Sequence, residues 1–211
     1  MNSLPNPAIS LRPAKHEDAL QAAELICLSM GEMAGHIFEG QTISIRETIR
    51  ILFTRQSNRF GEANTTIAQV DGEIAGLLIS YPGRRIFGLY LGTGRHLLSL
   101  FGLVGMLRVA RRALPMSGVR EAKADEYYIS NLAVLPRYQR RGIGARLLVH
   151  VEGQARRAGL TKCSLIVDAG NQPALHLYQR MDFRIVFTGR VTYPGYRIPK
   201  SDYHRMVKHL S

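Results

Sequence analysis

From Asn131 to Ala145 the chain reads Asn-Leu-Ala-Val-Leu-Pro-Arg-Tyr-Gln-Arg-Arg-Gly-Ile-Gly-Ala, passing from strand-forming residues through a basic turn into a helix. The chemistry available to such a segment is anion binding. Main-chain N–H groups at a helix start have no partner within the helix, and the peptide dipoles add partial positive charge, so a pyrophosphate fits against them. Gly142 and Gly144 let the backbone approach closely, while Arg140 and Arg141 can add charge-assisted contacts, reach a further phosphate or point to solvent. Glycines in a basic turn also occur at ordinary helix starts, so the surrounding elements must decide.

Those elements alternate in a consistent way. Residues 9–12 predict a strand ended by Pro13, which cannot continue a paired strand. Over 17–30, Leu20, Ala23, Leu25, Ile26 and Leu28 recur at roughly helical spacing behind Glu17 and Asp18, and 42–56 repeats the signal with Ile45, Ile49 and Leu52. Asp71-Gly72 is a hairpin signal joining antiparallel strands at 65–70 and 73–81. A strand at 127–134, a helix at 143–158, a short buried strand at 163–167 and a helix at 172–181 give the second half a β-α-β-α order. Strands at 184–192 and 203–210 complete a single α/β domain over 1–211 with a mixed sheet.

Composition narrows the class further. Hydrophobic residues are 45% and charged residues 21% of the chain, values of an ordinary globular protein. Cys27 and Cys163 lie far apart with no His or Cys at ligand spacing, so neither a disulfide framework nor a metal site is expected. Met1 to Pro7 shows neither the cationic start nor the apolar stretch of a secretory leader, and the apolar run 96–107 is far short of the ~20 residues of a membrane span, so a soluble, cytoplasmic protein is expected. The formal net charge is +12, and no Asp or Glu stands between Glu73 and Glu121, an interval holding Arg84, Arg85, Arg95, Arg108, Arg111, Arg112 and Arg120. Such a field attracts phosphates, nucleic acid or acidic surfaces.

Gln139-Arg-Arg-Gly-Ile-Gly resembles the Gln/Arg-x-x-Gly-x-Gly/Ala coenzyme A loop of the GNAT superfamily of N-acetyltransferases, and it follows a strand whose Asn-Leu-Ala-Val end is also similar to that family. Downstream, Asn171-Gln-Pro-Ala174-Leu-His-Leu-Tyr178-Gln-Arg-Met-Asp-Phe183 resembles the family's Asn-x-x-Ala-x-x-Leu-Tyr-x-x-x-Gly-Phe segment. The resemblance implies a mixed, mostly antiparallel central sheet flanked by helices, with 82–125 as a helical insertion between the third and fourth strands. It further implies a V-shaped splay between the strands ending at Val134 and Val167, into which acetyl-coenzyme A inserts as co-substrate, with no metal required.

In that arrangement main-chain groups at Leu132, Ala133 and Val134 would hold the pantetheine arm. The turn through Gln139, Arg140, Arg141, Gly142, Ile143, Gly144 and Ala145 would hold the pyrophosphate. Asn171 and Ala174 would lie near the pantetheine, and Tyr178 beside the thioester sulfur, where a phenol can protonate the leaving thiolate. The implied reaction is direct attack of a neutral amine on the thioester carbonyl, polarised by a main-chain N–H near Val134. The acceptor is a small amine, a peptide N-terminus or a protein lysine. Glu126, just before the strand, is the first candidate base and Asp168 the second; a solvated strand-edge charge is the alternative for Glu126. Two positions depart from the pattern: Ile166 stands where ribosomal-protein acetyltransferases carry Glu, and Asp182 replaces the Gly before Phe183.

The insertion is helical in its middle, 96–114, with Gly102, Gly105, Arg108 and Arg112 on a narrow stripe and apolar residues covering the rest. So much apolar surface fits a lid over the acceptor site, a subunit contact in a homodimer or an extra core helix; a membrane-surface role also fits the charge. Two other functions share this sequence reading. One is a non-catalytic acyl-coenzyme A sensor on the same fold. The other is nucleic-acid binding by the basic insertion, for which no recognised motif or aromatic stacking segment is present.

Overall fold

The computed structural model describes residues 8–192 and 201–211. Residues 1–7, on which the reading against a secretory leader rests, lie outside the described residues. In chain order the elements are β1 (Ile9–Pro13), α1 (Ala19–Met30), α2 (Glu32–Phe38), α3 (Ile45–Phe53), β2 (Thr65–Val70), β3 (Glu73–Pro82), α4 (Ile86–Ala113), β4 (Tyr127–Val134), α5 (Ile143–Arg157), β5 (Lys162–Asp168), α6 (Gln172–Arg180), β6 (Arg184–Val191) and β7 (Ser201–His209).

The strands form one sheet in the order β1-β2-β3-β4-β5-β7-β6. Every neighbouring pair is antiparallel except β4 and β5. The hairpin between β2 and β3 turns on Asp71 (φ 50°) and Gly72 (φ 86°), the two positive dihedrals that match a two-residue turn to the twist of its strands. One face of the sheet packs α1 and α3 through Leu25, Ile26, Ile49, Leu52 and Phe53 against Ile67, Leu77 and Ile79. The other packs α5 through Leu147, Leu148 and Val151 against Leu78, Ile129 and Leu165.

Two helices differ from expectation. The element at 42–56 contracts to α3, because Ser44 caps it by accepting from the Glu47 N–H at 3.2 Å and Thr54 ends it. Helix α2, absent from the sequence reading, is too short to form by propensity; its Phe38 ring meets Phe101 edge-on at 6.4 Å. The insertion helix α4 starts ten residues earlier than the expected 96 and is broken at Gly102 (φ 64°, ψ −176°). Leu89, Thr93, Leu97, Gly105 and Val109 bury one of its faces, and Gln41 Nε2 donates to the Gly105 carbonyl at 3.3 Å. That face makes α4 part of the core.

Asp182 closes α6 in the left-handed conformation (φ 64°), and Phe183 behind it is fully buried. A non-glycine residue there carries a strain that Asp tolerates better than most. Asp182→Gly should therefore raise the free energy of unfolding by about 0.5–1 kcal/mol, read from urea denaturation at unchanged m-value.

Candidate active site

Strands β4 and β5 pair only from Tyr127 to Ile129 against Cys163 to Leu165. Beyond Ile129 they part. At that point β4 carries a bulge, since Ile79 lies opposite Asn131 and Ser80 opposite Ile129, leaving Ser130 without a partner on β3. The outward stretch of β4 keeps β3 on one side and, among the described residues, has no paired strand on the other. There the Leu135 N–H donates to the Ala75 carbonyl at 2.8 Å, whereas the Val134 carbonyl accepts from Gln139 Nε2 at 3.0 Å. By the alternation of an antiparallel ladder, Leu132 and Val134 turn their main-chain groups into the gap.

The turn after β4 leads into α5 at the mouth of this gap. Gly142 takes a left-handed conformation (φ 79°) as the residue before the helix, and Arg140 takes another (φ 61°). The first helical hydrogen bond runs from Arg146 N–H to the Gly142 carbonyl at 3.0 Å, so the N–H groups of Ile143, Gly144 and Ala145 precede the ladder and are open to an anion. The two glycines do different work. A Cβ at Gly142 would meet nothing within 4 Å, so its role is conformational; a Cβ at Gly144 would lie 2.8 Å from Leu177 Cδ2 and 4.0 Å from Leu132 Cδ2. Gly144 thus lets α5, α6 and β4 converge. Arg137 and Arg141 set their guanidinium carbons 5.0 and 5.5 Å from the Tyr138 ring, and the Tyr138 hydroxyl donates to Glu73 at 2.5 Å.

On α6, Asn171 caps the helix by accepting from the Ala174 N–H at 3.2 Å, which ties those two expected site residues together. Tyr178 is buried, its ring 6.0 Å from that of Phe183, and burial pushes its phenol up to about 12. Among the described residues its hydroxyl makes no hydrogen bond. Asp168 ends β5 on the open side of the gap and accepts from the Gly170 N–H at 2.6 Å.

The structure does not bring Glu126 to these groups. It precedes Tyr127, at the closed end where β4 meets Cys163 of β5, and it is only 2% exposed. Burial opposes its ionisation, but the Arg205 guanidinium and the Lys123 N–H, the latter at 2.9 Å, outweigh that and hold the carboxyl below its ordinary range. Its alternative as a solvated edge charge is also set aside, because Arg205 of β7 reaches it across β5.

A second polar cluster was not foreseen. Arg59 Nη2 donates to Glu121 Oε1 at 3.1 Å and to Ser130 Oγ, the bulge residue, at 3.2 Å. The Tyr90 hydroxyl of α4 donates to the same Glu121 oxygen at 2.9 Å, and the Arg59 guanidinium carbon sits 4.5 Å from the Tyr90 ring centre. Ser130 donates to Asn131 Oδ1 at 2.9 Å, and Asn131 Nδ2 to Ser29 Oγ at 2.8 Å. Among the described residues, Glu121 Oε2 is buried without a hydrogen-bond donor. The one signal in the sequence was that Glu121 ends the acid-free interval. Two surface cavities, of about 540 and 430 Å³, flank α5 and include neither Ser130 nor Tyr178 in their walls.

Comparison with known proteins agrees with this geometry. Residues 37–183 match the acetyltransferase (GNAT) family. GCN5-related N-acetyltransferase 4, chloroplastic, of Arabidopsis thaliana is 27% identical over 184 residues, 86% of this chain and 62% of that protein. The ribosomal protein bS18-alanine N-acetyltransferase of Escherichia coli K12 is 34% identical over 76 residues, 36% of this chain and 51% of that enzyme. The chain therefore spans between half and two thirds of these relatives. An N-acetyltransferase from Staphylococcus aureus Mu50 shares the fold with a TM-score of 0.73 at 23% identity, covering 94% of this chain and all of that one. A sheet splayed at a bulge, a glycine turn aimed at its mouth and a match over residues 37–183 together place the chain in the acetyltransferase (GNAT) family.

Proposed function

We propose that the protein transfers an acetyl group from acetyl-coenzyme A to a primary amine. The observation that carries this reading is the coincidence of three features: strand pairing that ends at Ile129, a bulge at Ser130, and the open N–H groups at the start of α5. The residues present fit the co-substrate. Ile143, Gly144 and Ala145 offer main-chain donors to a pyrophosphate, with Arg140 and Arg141 adding charge, and Leu132 and Val134 offer strand-like pairing to an amide-bearing arm. When bound, acetyl-coenzyme A supplies the thioester carbonyl that the amine attacks; a C–N bond forms, the C–S bond breaks and the amine gives up a proton.

Tyr178 stays protonated throughout the neutral range. An ordinary thiol titrates near ~8.5, well below a phenol at about 12, so Tyr178 stabilises the sulfur by donating a hydrogen bond, while the net proton comes from the amine nitrogen. Glu126, ion-paired at the closed end of the sheet, acts as an anchor and not as the base. The acceptor side is built by Glu121, whose free oxygen receives the ammonium group before it loses its proton. Arg59 reaches Ser130 from the face covered by α1 and α4, whereas α5 lies on the other face, so acceptor and donor approach the gap from opposite sides of the sheet.

Thiol release from acetyl-coenzyme A across polyamines, aminoglycosides, amino acids and N-terminal peptides tests this function and names the acceptor class. Glu121→Gln should raise KM for the amine at least about tenfold, the worth of a charged hydrogen bond, while KM for acetyl-coenzyme A stays unchanged. Coenzyme A binding without turnover on any amine would leave the acyl-coenzyme A sensor as the function.

A further inference from the structure

Helix α4 turns one face to the core and, among the described residues, leaves the other without a partner. On the free face, Phe87, Leu91 and Leu98 are 81%, 58% and 45% exposed, and Leu103, Leu107 and Leu114 are 67%, 60% and 66% exposed. The two sets share one spacing. Each places large apolar residues at i, i+4 and i+11 and an exposed arginine at i+8, Arg95 in the first set and Arg111 in the second. At 100° per residue these four positions span an arc of about 80°, with the arginine at its edge. Gly102, where the helix breaks, lies between the sets, and Leu114 stands in the turn that follows the helix.

Charge decides what this face meets. No acidic residue occurs from 74 to 120, and Arg84, Arg95, Arg108 and Arg111 are exposed and form no ion pair among the described residues. A second copy docked face to face would set Arg95 and Arg111 against the same arginines with no carboxylate between them. A nucleic acid would answer the arginines and leave six apolar side chains wet. An anionic bilayer answers both, burying the apolar stripe at the acyl boundary while its headgroups pair with the flanking guanidinium groups.

We infer that α4 docks the protein on the surface of an anionic lipid membrane. The helix lies along the surface and does not cross it, since no helix among the described residues is long and apolar enough to span a bilayer. The test is flotation of the purified chain with vesicles of phosphatidylcholine alone and of phosphatidylcholine mixed with phosphatidylglycerol, at low and high salt. The chain should float with the mixed vesicles only, and release as salt is raised. Arg95→Gln and Arg111→Gln should each weaken binding about fivefold, the worth of one cation near an anionic surface. Leu91→Glu and Leu107→Glu should abolish it at unchanged thermal unfolding, because both side chains are already exposed. Absence of flotation, equal flotation with neutral vesicles, or a dimer in sedimentation that Leu91→Glu dissociates would each overturn the inference.

Discussion

Tyr178→Phe should lower kcat for acetyl transfer by about 10²-fold while KM for acetyl-coenzyme A changes little. The substitution keeps the ring that packs 6.0 Å from Phe183 and removes only the hydroxyl, so a loss of rate reports the donor and not the fold. A hydrogen bond to a group that gains charge in the transition state is worth about 1.5–3 kcal/mol, which brackets the expected fall. The pH dependence follows from the same burial. With the phenol pushed up to about 12, wild-type kcat should show no alkaline decline from Tyr178 up to about pH 10, and the acid side should follow deprotonation of the acceptor amine. Steady-state thiol release from pH 6 to 10 checks both. Equal kcat for the two proteins would remove Tyr178 from the reaction.

Glu126→Gln should cost about 3–5 kcal/mol of folding free energy at pH 7, the penalty for leaving a buried charge, here that of Arg205, without its counterion. The sign of the pH dependence is set by the lowered carboxyl pKa. A carboxylate held below its unfolded value near ~4.3 stabilises the fold above that pH and loses its contribution as pH falls through the folded value, so the gap between wild type and variant should close in acid. Urea unfolding at pH 7 and in acid measures the gap. Below its melting temperature the variant should keep kcat within about twofold of wild type, since general-base removal would cost ~10²-fold or more. A large kcat loss with intact stability would return Glu126 to the role of base.

The local geometry of the candidate site was legible because main-chain conformation and helix capping shape it. The turn from Gln139 to Ala145 had to be a helix start wherever it lay, and Asn171, three residues before Ala174, had to cap the next helix. The hairpin at Asp71-Gly72 fell where it was expected, since local dihedral preference and strand twist agree there. Side chains that act through distant partners were not legible. Glu126 had the sequence neighbourhood of a base, yet its partner Arg205 stands 79 positions away on β7. Arg59 and Glu121 are 62 residues apart and meet only because α4 folds back across the first helices. The early start of α4 was hidden by its glycines, which lower helix propensity but permit close packing.

The sequence by itself determined the order of the strands, every helix but α2, the glycine-bearing start of α5 and the asparagine cap of α6, because these depend on residues close together in the chain. Only the tertiary structure decided where β4 and β5 part, which carboxylate is tied down and which has a free oxygen, and which face of α4 stays uncovered. Those outcomes depend on what lies across the sheet, and burial and pairing between distant residues are set by packing of the whole chain and not by any local run of it.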